Sequence, residues 1–457
     1  MDRWRFTPQR VWVTEHLHLN CVYLTGTGAK MNLTDINTPL HFIANHQGLI
    51  GIIFFFLFAW VFSENRREVS LKMLTLGLFM QVAFAVIILK SPYARIPFEA
   101  LTGAVHALRT ATLAGTSFVF GFVGGGTVPF TTTNPSGLFS FAFQALPMVM
   151  VVGAISMLLF HWRILPIVVK GFAWVLERTL NIGGALGVAA GAKVFLGQTE
   201  APLLIRPYLK DFSRSELFTV MTCGMATTSG TIMALYCTIL ENTIPSPMTH
   251  ILTASIISIP AAITISRIMV PPTHITSGEL IMPYKFTSWL DPIFRGTTES
   301  LQMFLNIIAM LIVVTALVSL TNMILGALPD VAGAALSLER IFGLILAPVT
   351  WMMGIPWAEA PVAADLLGTK TVTNEVIAFM ALAKLPAGVL SAKSNLIMTY
   401  ALCGFANFVS IGILVGGIGS LVPERRDEVV NLGMKCVIAG TISTCLSGTI
   451  VGLLQSF

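Results

Sequence analysis

The feature that most constrains this chain is a series of charge-poor apolar runs, each long enough to cross a lipid bilayer. They fall at residues 42–63, 73–89, 138–160, 217–240, 251–270, 303–325, 396–421 and 429–454. Only 11% of the 457 residues are charged, and the mean hydropathy is +0.80, whereas a soluble domain carries roughly a quarter charged residues. We therefore predict an all-α polytopic membrane protein with about eight transmembrane helices.

The distribution of basic residues predicts the orientation of these helices. Lys and Arg cluster at 66–72, 163–214 and 425–435, whereas residues 241–250 contain neither. By the positive-inside rule, the basic segments are cytoplasmic and 241–250 is external, which places both termini outside. The net charge of +5 is spread over short loops, so it does not indicate a nucleic-acid partner.

Residues 1–41 are mixed and polar, without the apolar core or cleavage pattern of a signal peptide. They are predicted to be a disordered tail, or else to follow from an upstream start codon, with Met31 as the true start. Of the six cysteines, only Cys21 lies in a polar setting. Their spacing indicates neither a disulfide framework nor a zinc site, so we expect no metal centre and no cofactor.

Two parts of the chain share an order of motifs. The first contains GQTEAP (197–202) followed by CGMATTSG (223–230), and the second contains WAEAP (357–361) followed by CGFANFVSIG (403–412). Paired interrupted apolar segments in two halves of a membrane protein point to a transporter's binding site. The alternative is that these short strings recur by chance in an apolar chain.

A proline inside an apolar stretch ends or kinks a helix, so we expect the chain to reverse near Pro202 and Pro361. Irregular backbone at membrane depth survives only where it is buried in protein or lines a wet cavity. Residues 182–209 and 340–380 are therefore predicted to be re-entrant helical hairpins whose tips meet at mid-membrane.

The apolar runs and the interrupted segments divide the chain into five predicted parts. They are a polar tail (1–41), about three spans (42–161), a first block with an interfacial helix, hairpin 182–209 and two spans (162–270), a loop with one span (271–325), and a second block with hairpin 340–380 and two spans (326–457).

Carboxylates lie within both interrupted segments, as Glu200, Glu359 and Glu375. A carboxylate near the bilayer centre costs at least ~2.5 kcal/mol, so each needs a partner or a function. Ligand binding is favoured for Glu200 and Glu375. The alternative is a position at the membrane surface or a fixed salt bridge with Lys193 or Lys370.

The polar residue types near these carboxylates constrain the ligand. Gln198 and Thr199 precede Glu200, and Phe405, Asn407 and Ser410 follow one another within about one and a half predicted helical turns. We expect Asn407 and Ser410, at i and i+3, to share one helical face. Amides, hydroxyls and carboxylates suit a neutral polyol with a heterocyclic amide, and the lack of an arginine cluster disfavours phosphate.

Three ordered motifs resemble those of the concentrative nucleoside transporter family, over roughly residues 45–457. They are GQTEAPLLIRPYL (197–209), the pattern Gly368, Lys370, Asn374, Glu375, and CGFANFVSIGI from Cys403. The resemblance implies a homotrimer with scaffold and transport domains. The spans in 42–161 and 271–325 would form the scaffold, and the blocks 162–270 and 326–457 would form a mobile transport domain that carries the substrate in an elevator fashion. The resemblance also implies that Gln198, Thr199 and Glu200 meet the nucleobase side, that Glu375, Asn407 and Ser410 hold the ribose, and that Ile232 and Phe405 pack against the base.

The main departure from the family is Lys193, which stands where sodium-coupled members have an asparagine ligand. The resemblance places the other sodium-site positions at Leu196 and Thr228, by backbone carbonyl, and at Thr227, by hydroxyl. An ammonium there would repel sodium. We therefore favour the proton as coupling ion, with sodium as the alternative if Lys193 points away or pairs permanently with Glu200.

The sequence predicts nucleoside symport, with the nucleoside and the lipid bilayer as partners, in a multi-pass plasma membrane and specifically a bacterial inner membrane. A membrane-embedded enzyme, a channel and a sodium-coupled carrier of another small polar solute are the alternatives. An enzyme is disfavoured because no histidine lies in the interrupted segments and neither HExxH nor GxSxG is present.

Overall fold

The computed structural model describes residues 37–131, 138–198, 200–276, 286, 288–330 and 335–455. Within these residues every regular element is helical and no β-strand is found, which confirms the predicted all-α class. Residues 44–457 group into one unit and residues 1–43 into another, of which only 37–43, the beginning of the first helix, are described. Residues 1–36 lie outside the described residues, and with them most of the predicted tail at 1–41 and the hypothesis that Met31 is the true start. Residues 37–41 belong to α1.

The helices of the first half are α1 (Asn37–Val61), α2 (Leu71–Lys90), α3 (Pro92–Phe120), α4 (Met148–His161), α5 (Ile164–Leu180), α6 (Gly184–Ala192), α7 (Glu200–Leu203), α8 (Arg214–Ala226), α9 (Gly230–Leu240) and α10 (Pro247–Met269). Those of the second half are α11 (Asp291–Leu325), α12 (Leu338–Met352), α13 (Ala360–Val372), α14 (Glu375–Lys384), α15 (Ala392–Leu402), α16 (Phe408–Leu421) and α17 (Arg426–Leu454).

Six helical segments of the described chain are long and apolar enough to cross a membrane, namely 71–90, 141–161, 214–240, 247–269, 291–325 and 423–454. They include segments joined across short irregular turns. The predicted count of about eight crossings stays a prediction, because the apolar helical stretches 47–61 of α1, 340–352 and 408–421 are shorter than this length. The long α3 was not predicted as a span.

Two runs that the sequence predicted as continuous spans are broken. The run 217–240 is interrupted at 227–229, between α8 and α9, and the run 396–421 at 403–407, between α15 and α16. In each run both halves are apolar, so the hydropathy of the sequence does not reveal the interruption. The breaks leave backbone groups without helical hydrogen bonds in the buried interior, where only polar partners can satisfy them.

The predicted hairpin at 340–380 contains α12 and α13, which lie antiparallel. The Thr350 hydroxyl donates to the Ala360 carbonyl at 2.9 Å, and Phe342 packs on Gly368. A further break at 373–374, which was not predicted, separates α13 from α14. Pro361 lies in the first turn of α13, where the helix needs no donor from that nitrogen. The re-entrant character of the hairpin stays a prediction.

The segment 182–209 breaks ahead of its proline as well. Helix α6 ends at Ala192, and the short α7 contains Pro202 within its first turn. The backbone N–H of Gly230 donates to the Phe195 carbonyl at 3.0 Å, which joins this break to the one between α8 and α9. Both prolines therefore mark the start of the returning helix and not the reversal itself.

Helices α4 and α11 pack closely because small residues face each other. A Cβ atom placed on Gly153 of α4 would lie 1.7 Å from the Ser300 Oγ of α11, and one on Gly296 would lie 2.7 Å from the Ala154 Cα. Small residues at such a crossing let two membrane helices approach closely and fix their geometry.

The early helices α1 and α2 pack elsewhere, against α10, α17 and the α12–α13 turn. The Gln81 amide of α2 donates to Ser447 Oγ at 3.0 Å, and Ser447 shares a hydrogen bond with Ser258 of α10 at 3.0 Å. The Gln47 amide of α1 donates to the Ile355 carbonyl at 3.2 Å. Packing therefore divides the predicted scaffold segment 42–161, with α1 and α2 in one group and α4 with α11 in another.

Candidate functional site

A cavity of about 480 Å³ lies where the broken helices meet α11. Six of the sequence-predicted ligand residues line it, namely Gln198, Ile232, Glu375, Phe405, Asn407 and Ser410. They come from the loop after α6, from α9, from α14, from the break between α15 and α16, and from the first turn of α16. The interruptions therefore bring polar side chains from both sequence blocks to one hollow.

Glu375 is the most constrained of these residues, with only 4% of its surface exposed. Its Oε1 accepts a hydrogen bond from the Tyr236 hydroxyl at 2.8 Å, and its Oε2 accepts one from the Asn407 amide at 3.0 Å. It is also the first residue of α14, where the positive end of the helix dipole stabilises a carboxylate. This arrangement fixes an acceptor on the cavity wall.

Asn407 is placed differently from the sequence prediction. It does not share a helical face with Ser410 but is the N-cap of α16, where its Oδ1 accepts from the Ser410 backbone N–H at 2.8 Å. The cap terminates the irregular stretch after Cys403 and leaves the amide nitrogen directed to Glu375. One asparagine thus starts a helix and orients the carboxylate.

Gln198 lies in the loop after α6 and is 7% exposed. Its buried Oε1 has no hydrogen-bond partner among the described residues, and a buried acceptor of this kind favours a donor from a ligand. Thr199 lies outside the described residues, and for Glu200 only the backbone, as the first residue of α7, is described. Their predicted contacts with the nucleobase stay predictions.

Lys193 is buried, with 2% of its surface exposed. Its Nζ donates to the Gly197 carbonyl at 3.0 Å and lies beside Gly224, from which a Cβ atom would be 3.2 Å distant. Lys193 follows the last residue of α6, and Gly224 is in the last turn of α8. The ammonium therefore sits at the negative ends of two helices, a position that stabilises a cation.

The remaining predicted ion-site residues surround the same break. The Thr227 hydroxyl donates to the Cys223 carbonyl at 2.7 Å, and Thr228 Oγ1 shares a hydrogen bond with Ser255 at 3.0 Å. Leu196 is half-buried and lies in the loop after α6. Their role in ion binding stays a prediction.

Two other ionisable residues of the second block lie away from the cavity. Glu359 is half-buried, and its carboxylate accepts from the backbone N–H of Ser391 at 3.0 Å and from its hydroxyl at 3.1 Å. Lys370 is fully buried and donates to the Ala401 carbonyl at 2.8 Å and to Thr444 Oγ1 at 3.2 Å. Of the three predicted intramembrane carboxylates, the described side chains place Glu375 at the cavity and Glu359 outside it.

Sequence reasoning missed several residues of the cavity wall. Tyr236, which holds Glu375, lies in an apolar run and gives no polar signal. Glu299, Gln302 and Asn306 line the cavity from α11. Their spacing of three and four residues on one helical face could have identified them, but the predicted span began at 303, inside this group.

Comparison with known proteins agrees with this geometry. The family description "Na+ dependent nucleoside transporter" matches in two parts, the N-terminus over residues 50–123 and the C-terminus over 250–452, and "Nucleoside recognition" matches 142–243. An uncharacterized transporter of Haemophilus influenzae is 35% identical over 89% of this chain and 97% of its own length. Nucleoside permease NupC of Helicobacter pylori is 33% identical over 89% and 96%.

Two solved structures extend the similarity to the fold. CNTnw in an inward-facing substrate-bound state matches with a TM-score of 0.83 and 30% identity, covering 90% of this chain and 98% of its own. A variant of CNTnw in an outward-facing state matches with a TM-score of 0.83 and 29% identity. The chain therefore belongs to the concentrative nucleoside transporter family, whose members are not enzymes but multi-pass membrane carriers that couple nucleoside transport to a cation by alternating access.

Proposed function

We propose that this carrier imports nucleosides by proton symport. The observation that carries the proposal is the buried ammonium of Lys193, at the junction of the breaks after α6 and α8. Both helices present their negative ends there, so the site is suited to a monovalent cation. The ammonium of Lys193 is such a cation, and it is part of the chain.

The electrostatic magnitude favours this reading over sodium coupling. Two unit charges about 4 Å apart repel by about 4 kcal/mol at an effective dielectric constant of about 20. A penalty of that size weakens sodium binding by about a thousandfold. A transporter with a lysine at this position therefore needs another coupling ion. A proton can serve, taken up and released either by Lys193 itself or by a neighbouring carboxylate.

The proposed substrate contacts are assigned to residues that line the cavity. Glu375 presents a fixed acceptor to the ribose hydroxyls, with Asn407 and Ser410 beside it, while Gln198 supplies its open Oε1 to the nucleobase. Ile232 and Phe405 provide apolar contact for the base. We place Thr199 and Glu200 on the nucleobase side, and Leu196, Thr227 and Thr228 around the ion position, as the resemblance implies.

We further propose elevator-type movement in a homotrimer in a bacterial inner membrane. The α4–α11 pair, joined at Gly153 and Ser300, supplies the fixed wall. The broken helices form the moving part: α8 and α15 contact α10 and α17, and α16 contacts α17. The contact of α9 with α4 then lies between the moving part and the fixed wall. Residues 182–209 and 360–384 would travel with the substrate, because they provide its contacts.

The test is uptake of radiolabelled uridine into proteoliposomes, with sodium or choline outside and with or without an inward pH gradient. We expect uptake in choline that rises with the pH gradient, competed by other nucleosides and not by ribose alone. The Lys193→Asn variant should lose this response and become sodium-dependent, whereas Lys384→Asn, a change in the last turn of α14 outside the cavity, should behave as the wild type. A strict sodium requirement in the wild type would refute proton coupling.

A further inference from the structure

Three polar side chains form a stripe on one face of α11, and we define this polar stripe as Glu299, Gln302 and Asn306. All three face the cavity, opposite Glu375 and Asn407. The Gln302 amide nitrogen donates to the Asn306 Oδ1 at 3.2 Å. An otherwise apolar membrane helix does not tolerate such groups toward lipid, so their position on a cavity indicates contact with water or with a ligand.

The polar stripe belongs to a different packing group from Glu375 and Asn407. One helical turn away, Gly296 and Ser300 fix α11 against Gly153 and Ala154 of α4. Glu375, in contrast, begins α14, which packs against α13, α9 and α15, and Asn407 caps α16, which packs against α17. If these groups move past each other during alternating access, the cavity keeps Glu375 and Asn407 in both states but contacts the polar stripe in only one.

The orientation identifies that state. The loop before α11 follows α10, whose N-terminal end adjoins the external segment 241–250, so α11 starts on the cytoplasmic side. The polar stripe lies about 12 to 23 Å along a helix of about 52 Å, at 1.5 Å per residue, and thus in its cytoplasmic half. The cavity described here is therefore adjacent to the cytoplasmic exit.

We propose that the paired amides of Gln302 and Asn306 form a one-sided half-site for nucleosides. They hydrogen-bond the substrate only while it exchanges with the cytoplasm, and the outward-facing site lacks them. A fixed amide pair offers both donors and acceptors, which matches the hydrogen-bonding edge of a nucleobase. This inference rests on nucleoside transport as proposed above, but it does not depend on which ion drives it.

The experiment measures KM for uridine from each side of the membrane, in right-side-out and inside-out vesicles containing the wild type, Gln302→Leu or Asn306→Leu. We expect each variant to raise KM about tenfold in inside-out vesicles, the effect of one lost hydrogen bond, and by less than about twofold in right-side-out vesicles. A near-normal value on the external side also shows that the variant folds. Thr321→Val, which removes a hydroxyl that donates to its own helix at Leu317, is the matched control and should change neither side.

Equal changes on both sides, or no change on either, would overturn the half-site. A wild type that does not carry uridine in either vesicle preparation would instead refute the proposed function. Sodium dependence of the wild type would refute proton coupling but leave the sidedness comparison intact.

Discussion

Lys193 and Lys370 occupy corresponding places in the two sequence blocks, yet their contacts differ. Each is the third residue of a Gly-x-Lys sequence, each precedes a break in the chain, and each is buried. Lys193 donates to Gly197, within its own loop. Lys370 donates to Ala401 and Thr444, on α15 and α17.

This difference in contacts suggests different roles for the two lysines. The Lys370 ammonium joins α13 to two other helices, so it stabilises the fold around the second break. Lys193 is held by the loop that also carries Gln198, so a change in its charge can reach the substrate cavity directly. The same residue type in corresponding positions therefore has a structural role in one block and, in our proposal, a coupling role in the other.

The largest expected effect tests whether the second block supplies the substrate acceptor. Glu375→Gln should reduce kcat/KM for uridine by at least about 100-fold, because it weakens two hydrogen bonds to a charged group and the contact with ribose. Uptake by proteoliposomes measures it. Glu359→Gln, on a half-buried carboxylate of the same block that does not line the cavity, is the matched control and should keep kcat/KM within about threefold. Equal losses would remove Glu375 from the site.

A second pair of variants tests the two lysines against each other. Lys370→Met should lower the free energy of unfolding by about 1–3 kcal/mol, because it leaves the Ala401 carbonyl buried without its donor. Lys193→Met should instead abolish the pH dependence of uptake. Thermal unfolding in detergent and uptake against pH are the two measurements.

The comparison of the lysines fails if the effects are exchanged. An unfolding defect confined to Lys193→Met, or a lost pH response confined to Lys370→Met, would reverse the assignment of roles.

A smaller effect distinguishes two asparagine caps in the second block. Asn374 accepts from the Ile377 backbone N–H at 3.0 Å, while Asn407 caps α16 and also donates to Glu375. Asn374→Ala should cost about 1 kcal/mol of stability as a lost cap. Asn407→Ala should cost this and also raise KM for uridine, because the carboxylate loses its orienting partner. Equal KM values in the two variants would contradict this.

The smallest effect concerns an ionic cluster that joins the two blocks. Glu64 binds Arg214 of α8 at 3.0 Å and Lys435 of α17 at 2.7 Å, and Arg214 and Lys435 lower the pKa of its carboxyl to about 2. A lowered pKa stabilises the fold at pH values above the ordinary pKa of about 4.5, and this contribution is lost as the pH falls toward 2. The Tm difference between the wild type and Glu64→Gln should therefore be small at pH 7 and vanish at low pH, because partly exposed ion pairs contribute only about 0.2–1 kcal/mol.

The sequence predicted the side chains that line the cavity better than the helices that carry them. Glu375, Asn407 and Gln198 were identifiable because a carboxylate or amide is costly in an apolar membrane segment and is retained there only with a partner or a function. The breaks at 227–229 and 403–407 were not, because their flanks are equally apolar and their polar residues are small. Pro361 did mark a reversal, because the chain turns between α12 and α13 and the proline lies in the first turn of the returning helix.

Contacts that depend on packing were beyond the sequence. Tyr236 meets Glu375 only because α9 and α14 are neighbours, although 139 positions separate the two residues in the chain. The polar stripe on α11 had a readable spacing, but its relation to the cavity required the position of α4. The division of α1 and α2 from α4 likewise depends on small-residue contacts such as Gly77 against Thr264, which hydropathy does not report.

The most direct test of the central claim, that a buried lysine replaces sodium and leaves the proton as coupling ion, is a measurement of proton movement. Proteoliposomes with a trapped pH-sensitive dye, in sodium-free medium, should acidify inside when uridine is added, and those containing Lys193→Asn should not. Uridine uptake without any acidification, or acidification that requires sodium, would contradict the account.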